Sequence, residues 1–296
     1  MTHEGRPDVG RLGVWTDQFD GQPLSAVKDA AAEIEELGYS TLWLSEVTGR
    51  EALTQATLLL GATSRLVVAT GVATIYGRDA VTMAQAERTL AEAFPGRFVL
   101  GLGNSHPYLV EQIRGHSFGP RVATMRGYLD AMDAAPFGPT VPGASANRVL
   151  GVVGRQMLGL AAQRAWGALP FGMPVAHTAR AREILGPEPL LAVGQPVVLE
   201  SDPDLARQTA HAHVAASLPN RDRALAELGY GEDVSAGGSD RLADAMIASG
   251  GLEAVTRRVA EQFKAGADHV CLYVLVPEGR PRIPLEGWRE LAAALR

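Results

Sequence analysis

The chain has 296 residues, of which 46% are apolar, 20% charged and 6% aromatic, a balance that excludes a disordered polypeptide because enough apolar side chain is present to offset the entropy of ordering. With 27 Lys and Arg against 33 Asp and Glu the net charge is −6, and no basic run exceeds two residues, so no nucleic-acid surface is expected. The single cysteine, Cys271, rules out an internal disulfide and suits a reducing, cytoplasmic setting, while the polar start and the lack of an uncharged run of roughly 18 apolar residues give no sign of a leader or a membrane span.

In chain order, Arg11–Asp17 (RLGVWTD) reads as a buried strand ending in polar groups. Pro23 then opens a helix with Leu24, Val27, Ala30, Ala31, Ile34 and Leu37 on one face, closed by Gly38. Thr41–Glu46 is a second strand and Glu51–Thr63 its helix. Leu66–Ala73 is a third strand, followed by a helix over Val81–Ala93, a Pro95-Gly96 turn and a fourth strand over Phe98–Gly103. Pro136–Ala146 is rich in Pro, Gly and Ser and reads as a surface loop. The alternation resumes with strands at Arg148–Gly154, Gly167–Gly172, Leu191–Glu200 and His269–Val276, and helices at Met157–Ala165, Pro174–Leu185 and Leu285–Leu295. Residues 201–250 hold more helix than a crossover needs and read as an insertion within one domain spanning 1–296.

Short continuous apolar strands alternating with amphipathic helices predict a parallel α/β sheet covered by helices. Eight such units predict a (β/α)8 barrel, whose typical size is about 250 residues. A doubly wound sheet is the competing architecture. It would place a Gly-x-Gly-x-x-Gly turn after the first strand, where this chain has Thr16-Asp17-Gln18. Gly101-Leu-Gly103 supplies two glycines, but His106 stands at the third position.

In a barrel the C-terminal strand ends form the reactive face. Here they carry Trp15, Asp17, Ser45, Glu46, Gly71, Ala73, Gly103, Asn104, His106, Gly154, Arg155 and Phe171. No His or Cys pair has metal-ligand spacing, so no metal is expected; His211 and His213, two apart on a predicted helix, face different ways. No Gly-x-Ser-x-Gly elbow exists. So sparse an ionisable set fits an organic cofactor that brings its own reactivity. Asp17, Glu46 and His106 are the candidate acids and bases. The plain alternatives are an ion pair of a carboxylate with Arg50, Arg78 or Arg155, and a solvated His106. Gly71 and Gly103 would let a ligand approach bare backbone, or are packing glycines. Gly154-Arg155-Gln156-Met157, where a strand turns into a helix, is a candidate phosphate cradle or a solvated helix start. Trp15, Phe19, Trp43 and Phe171 are candidate pocket linings, with Trp43 in mid-strand equally suited to the core, and His177 reads as structural.

Thr41–Glu46 (TLWLSE), Ala69-Thr-Gly-Val72 followed by Arg78-Asp79, Gly96–Gly103 (GRFVLGLG), Met157-Leu-Gly-Leu-Ala-Ala with Ala165-Trp-Gly-Ala168, and Ala265-Gly-Ala-Asp-His-Val270 together resemble the bacterial luciferase-like superfamily over nearly the whole chain. Ser105-His106 and the terminal Trp288–Leu295 run resemble its coenzyme F420-dependent oxidoreductases from actinobacteria. The resemblance implies a barrel with an insertion after strand seven, and F420 or FMN bound at the C-terminal mouth. It implies a non-proline cis peptide at Gly71-Val72 against the ring, Trp15 and Ala73 beside it, and Gly103 and Asn104 nearby. The coenzyme phosphate is expected at Gly154, Arg155, Gln156 and Met157. A homodimer is common in the family. Two positions depart from its pattern: Ser45-Glu46 replaces an Asp or Asp-His pair, and Arg155 replaces a proline.

The leading expectation is hydride transfer between F420 and a small organic substrate, with Glu46 or His106 handling the proton. An FMN-dependent two-component monooxygenase, fed by a separate reductase, and a ligand-binding barrel without turnover are the other expectations.

Overall fold

Runs such as Thr41–Leu44 (TLWL) and Val67–Thr70 (VVAT) are buried at every position, as parallel strands between a barrel interior and a helix layer must be. In the computed structural model, which describes residues 6–136, 147–278 and 282–295, eight such strands form a closed ring. They are β1 Leu12–Thr16, β2 Thr41–Leu44, β3 Val67–Thr70, β4 Phe98–Gly103, β5 Arg148–Gly151, β6 Gly167–Leu169, β7 Leu190–Val198 and β8 His269–Val274. Each runs parallel to the next, and β8 closes the ring by pairing with β7 (His269 opposite Ala192) and with β1 (Val270 opposite Leu12). The predicted (β/α)8 barrel is therefore the fold.

The surrounding helices are α1 Leu24–Glu36, α2 Ala52–Leu60, α3 Ala80–Ala93, α4 Arg121–Asp133, α5 Arg155–Arg164 and α6 Val175–Leu185. Between β7 and β8 come α7 Pro203–Ser217, α8 Asp222–Leu225, α9 Gly231–Ser235, α10 Asp240–Met246 and α11 Gly251–Lys264, and α12 Leu285–Ala294 closes the chain. Two elements differ from the sequence expectation. The third strand does not run unbroken to Ala73: it stops at Thr70, the Gly71–Val72 peptide is cis, and Ala73–Thr74 then pairs with the end of β4. Helix α4 has no counterpart in the sequence expectation. Only Met125, Leu129 and Met132 of its 13 residues are buried, a stripe too thin to stand out by periodicity. Most of the Pro/Gly/Ser-rich segment before β5 lies outside the described residues.

Three apolar clusters hold the molecule. The largest joins the helices to the outer face of the barrel and includes Ile34, Leu59, Met83, Leu129 and Trp288. Phe19 belongs here, 2% exposed and edge-on to Trp288, so it is core rather than pocket lining. A second cluster lies under α7 and α10, where Ala210, Val214, Leu242 and Met246 meet Met173 and Val198. The third fills the barrel interior with Trp43, Val67, Ala69, Val99, Val149 and Cys271. The Cys271 thiol there is fully buried, its S–H toward Val193 O at 3.4 Å.

The lower interior is polar but complete. Trp43 Nε1 donates to His269 Nε2 at 3.0 Å, and His269 Nδ1 lies 3.0 Å from Gly10 O. The first bond requires a bare Nε2, so the ring is neutral with its proton on Nδ1; burial pushes its pKa down to about 4. Gly13 makes room for this ring, since a Cβ there would stand 2.8 Å from His269 Nε2. Trp43 is thus interior packing, not pocket lining.

Candidate active site at the barrel mouth

Above this layer an aromatic floor closes the interior. The Trp15 ring lies 4.4 Å from Phe171 and 4.7 Å from Tyr273, and Phe171 lies 5.8 Å from Tyr273. The Phe171 ring packs against Gly194, where any Cβ would collide with it. Trp15 Nε1 donates to Gly71 O at 2.5 Å, which ties β1 to the cis peptide. Beyond it the Val72 side chain fills a notch formed by Gly101, Gly103 and Gly151; Cβ atoms on the last two would lie 2.4 and 2.8 Å from its methyl groups. These glycines serve Val72, and through it they set the Gly71–Val72 peptide in the mouth. Ala73, expected beside a ring, is fully buried in the helix–barrel layer.

The two strand-end carboxylates differ sharply. Asp17, just beyond β1, accepts a hydrogen bond from Tyr273 Oη at 3.0 Å. Burial raises its pKa and the tyrosine bond only partly opposes this, so it keeps its proton to higher pH than an ordinary aspartate. Glu46 takes the plain alternative. Its oxygens accept from Thr74 N at 2.8 Å, Ala52 N at 3.2 Å and both terminal nitrogens of Arg78. Although burial opposes it, these bonds and the arginine charge hold its pKa down. A carboxylate so committed is a brace between β2, α2 and the rim, and a poor proton donor.

Asn104 is buried, with Nδ2 donating to Arg121 O at 3.1 Å. His106 is exposed, just past Ser105 and its positive φ of 59°. Gly154 is the N-cap of α5, with no side-chain cap on the helix's first N–H groups. Gly154, Arg155 and Gln156 are exposed, whereas the Met157 side chain packs into the core. Arg155, Gln156, Gly159, Arg180, Glu183 and Ile184 line a depression of about 680 Å³.

Three residues at the mouth lie outside the site residues expected from the sequence. Tyr273 lies late on β8, where its alternation with Cys271 points it inward; that register could have found it. His213, on α7, sets its ring 5.7 Å from Tyr273, with a buried Nε2 that has no hydrogen-bond partner. Burial, helped by the charge of Arg221, lowers its pKa to about 4. Arg221, between α7 and α8, donates from Nε to Phe171 O and from Nη1 to Ser217 O, both at 3.0 Å. Burial lowers its pKa to about 10, which still leaves it cationic at neutral pH. His211, two residues from His213, instead pairs with Asp240 on the outer face at 2.7 Å, and His177 Nε2 is bound to Val153 O at 2.7 Å.

A closed parallel barrel with an aromatic floor and a half-buried acid at its C-terminal mouth defines a barrel enzyme whose chemistry lies at the strand ends. The profile of the luciferase-like monooxygenase family matches residues 10–269, and the chain belongs to that family. A Mycobacterium tuberculosis protein provisionally named a coenzyme F420-dependent oxidoreductase is 31% identical over 120 residues, a stretch covering 40% of this chain and 35% of the relative. An F420-dependent secondary alcohol dehydrogenase, solved with an F420-acetone adduct, superposes with a TM-score of 0.76 at 14% identity over 97% of this chain and 99% of the other. The FMN-bound oxygenating constituent of 3,6-diketocamphane monooxygenase from Pseudomonas putida gives 0.68 at 15% identity, covering 96% and 97%. At these identities the two structures establish a shared fold.

Proposed function

We propose that this protein moves a hydride between coenzyme F420 and a small organic substrate at the barrel mouth, with Asp17 as the proton-handling residue. The reading is carried by the raised pKa of Asp17 and its bond to Tyr273 beside the aromatic floor. The F420-dependent relative and the F420-dependent dehydrogenase of like fold support the choice of coenzyme.

The residues present fit a flat coenzyme with an anionic tail. The Gly71–Val72 peptide and Trp15 offer a surface for a ring. The uncapped first turn of α5, with Arg155 and Arg180 in the adjoining depression, offers N–H groups and positive charge to a phosphate. When bound, the coenzyme supplies the hydride acceptor or donor. Trp15, Phe171 and Tyr273 exclude water from below and orient the substrate. Tyr273 Oη fixes one oxygen of the Asp17 carboxyl, leaving the other to give a proton to, or take one from, a substrate oxygen. Glu46, with Arg78, steadies the rim on which this depends.

Titration with oxidised F420, followed by its fluorescence, should show binding clearly tighter than FMN. Binding of FMN alone, with oxygen uptake on addition of reduced FMN, would instead support a two-component monooxygenase working with a separate reductase. That second reading draws on the FMN-bound neighbour.

A further inference from the structure

Arg221 is a cation held by backbone carbonyl oxygens. Among the described residues it takes part in no ion pair, and its two hydrogen bonds go to carbonyl oxygens. Both N–H groups of Nη2 and one of Nη1 remain unused. Nη2 lies beside Gly172, at the end of β6, where it would be 3.7 Å from a Cβ. The Phe171 carbonyl that holds Nε belongs to a floor residue. On the same side, the unpartnered Nε2 of His213 is buried next to the Tyr273 ring, and a neutral imidazole can offer it as an N–H donor. A buried polar atom without a partner costs free energy, and a half-buried cation without an anion does so more strongly. The Arg221 charge acts on the His213 ring, that ring stands against Tyr273, and the Tyr273 hydroxyl holds Asp17.

We propose that Arg221 and His213 bind the carboxylate of the substrate, so that the substrate is a small organic acid with an apolar body lying on Trp15, Phe171 and Tyr273. A guanidinium edge matches the two oxygens of a carboxylate, and the body then extends across Tyr273 toward Asp17. Naming this anion a substrate rests on the oxidoreductase reading; the anion site itself can be tested without the coenzyme.

The probes are phenylacetate, its neutral isostere phenylacetamide, and phenyl phosphate, each titrated into the full chain by calorimetry. The wild type should bind phenylacetate at least about tenfold more tightly than phenylacetamide. Arg221→Gln should remove that preference, Arg221→Lys should keep part of it, and His213→Phe should weaken phenylacetate severalfold. Affinity for F420 should be unchanged in all three variants, which also reports that the mouth is folded. Equal affinity of the wild type for acid and amide overturns the proposal without need of any variant. Tighter phenyl phosphate binding overturns the assignment to a carboxylate. Loss of F420 affinity in Arg221→Gln, with Arg221→Lys normal, would give the arginine to the coenzyme and overturn it too. If the wild type binds phenylacetate selectively but neither F420 nor FMN, the anion site stands and the oxidoreductase reading falls.

Discussion

The lower interior of the barrel and its mouth both contain a histidine beside an aromatic ring, yet they treat it differently. His269 at the bottom spends both nitrogens, one on the Trp43 indole and one on a backbone carbonyl. His213 at the mouth has a buried nitrogen with no partner. The same split recurs among the carboxylates: Glu46 has every oxygen engaged, whereas Asp17 holds one tyrosine bond and a raised pKa. In these two pairs, complete hydrogen bonding goes with the group that holds the fold, and leftover capacity goes with the group at the mouth.

The sharpest way to break this contrast is to neutralise each carboxylate. Asp17→Asn should lower kcat roughly 100-fold or more while leaving the urea midpoint and F420 affinity nearly unchanged. A stability loss with normal turnover would reverse the assignment. The bottom histidine should contribute to acid stability. Its folded pKa of about 4 lies below the ordinary 6.5, so the unfolded chain binds the proton first. The contribution is complete above about 6.5 and is lost as pH falls toward 4, on the order of 3 kcal/mol in all. Urea melts of His269→Gln against pH should be flatter over that interval. Glu46→Gln should cost about 2–3 kcal/mol in the same assay, because it leaves the buried Arg78 with only Glu51, and should do so before any effect on coenzyme binding. Trp43→Phe strips His269 Nε2 of its donor and should cost about 1–3 kcal/mol. The smallest effect belongs to Arg155→Gln at the exposed start of α5: F420 affinity should fall about fivefold at low ionic strength and recover toward wild type in high salt.

The barrel was legible in the sequence because each strand is a short run buried on both faces and each outer helix carries a stripe, a pattern hard to satisfy any other way. Helix α4 escaped because it buries only three side chains. The site was legible only in part. Trp15, Asp17 and the α5 start could be read from strand ends and turns. The Glu46–Arg78 pair was visible only as one option among several, since sequence does not say which arginine of the rim reaches back. Tyr273, His213 and Arg221 come from β8 and the long β7–β8 connection, about 50 to 60 residues apart at the extremes of that stretch, and only the folded connection brings them to the aromatic floor. Ala73 was misplaced by the same blindness: the Gly71–Val72 turn shifts the register, so the next side chain points out of the barrel rather than into it.

The lone thiol of Cys271, sealed against the barrel axis, is a built-in gauge of how often the ring of strands comes apart. Alkylation by a maleimide requires the barrel to open around this fully buried thiol, so the modification rate in native buffer measures the free energy of that opening. A bound effector that slows the labelling would report, without any engineered tag, that occupancy at one end of the barrel tightens its walls along their length.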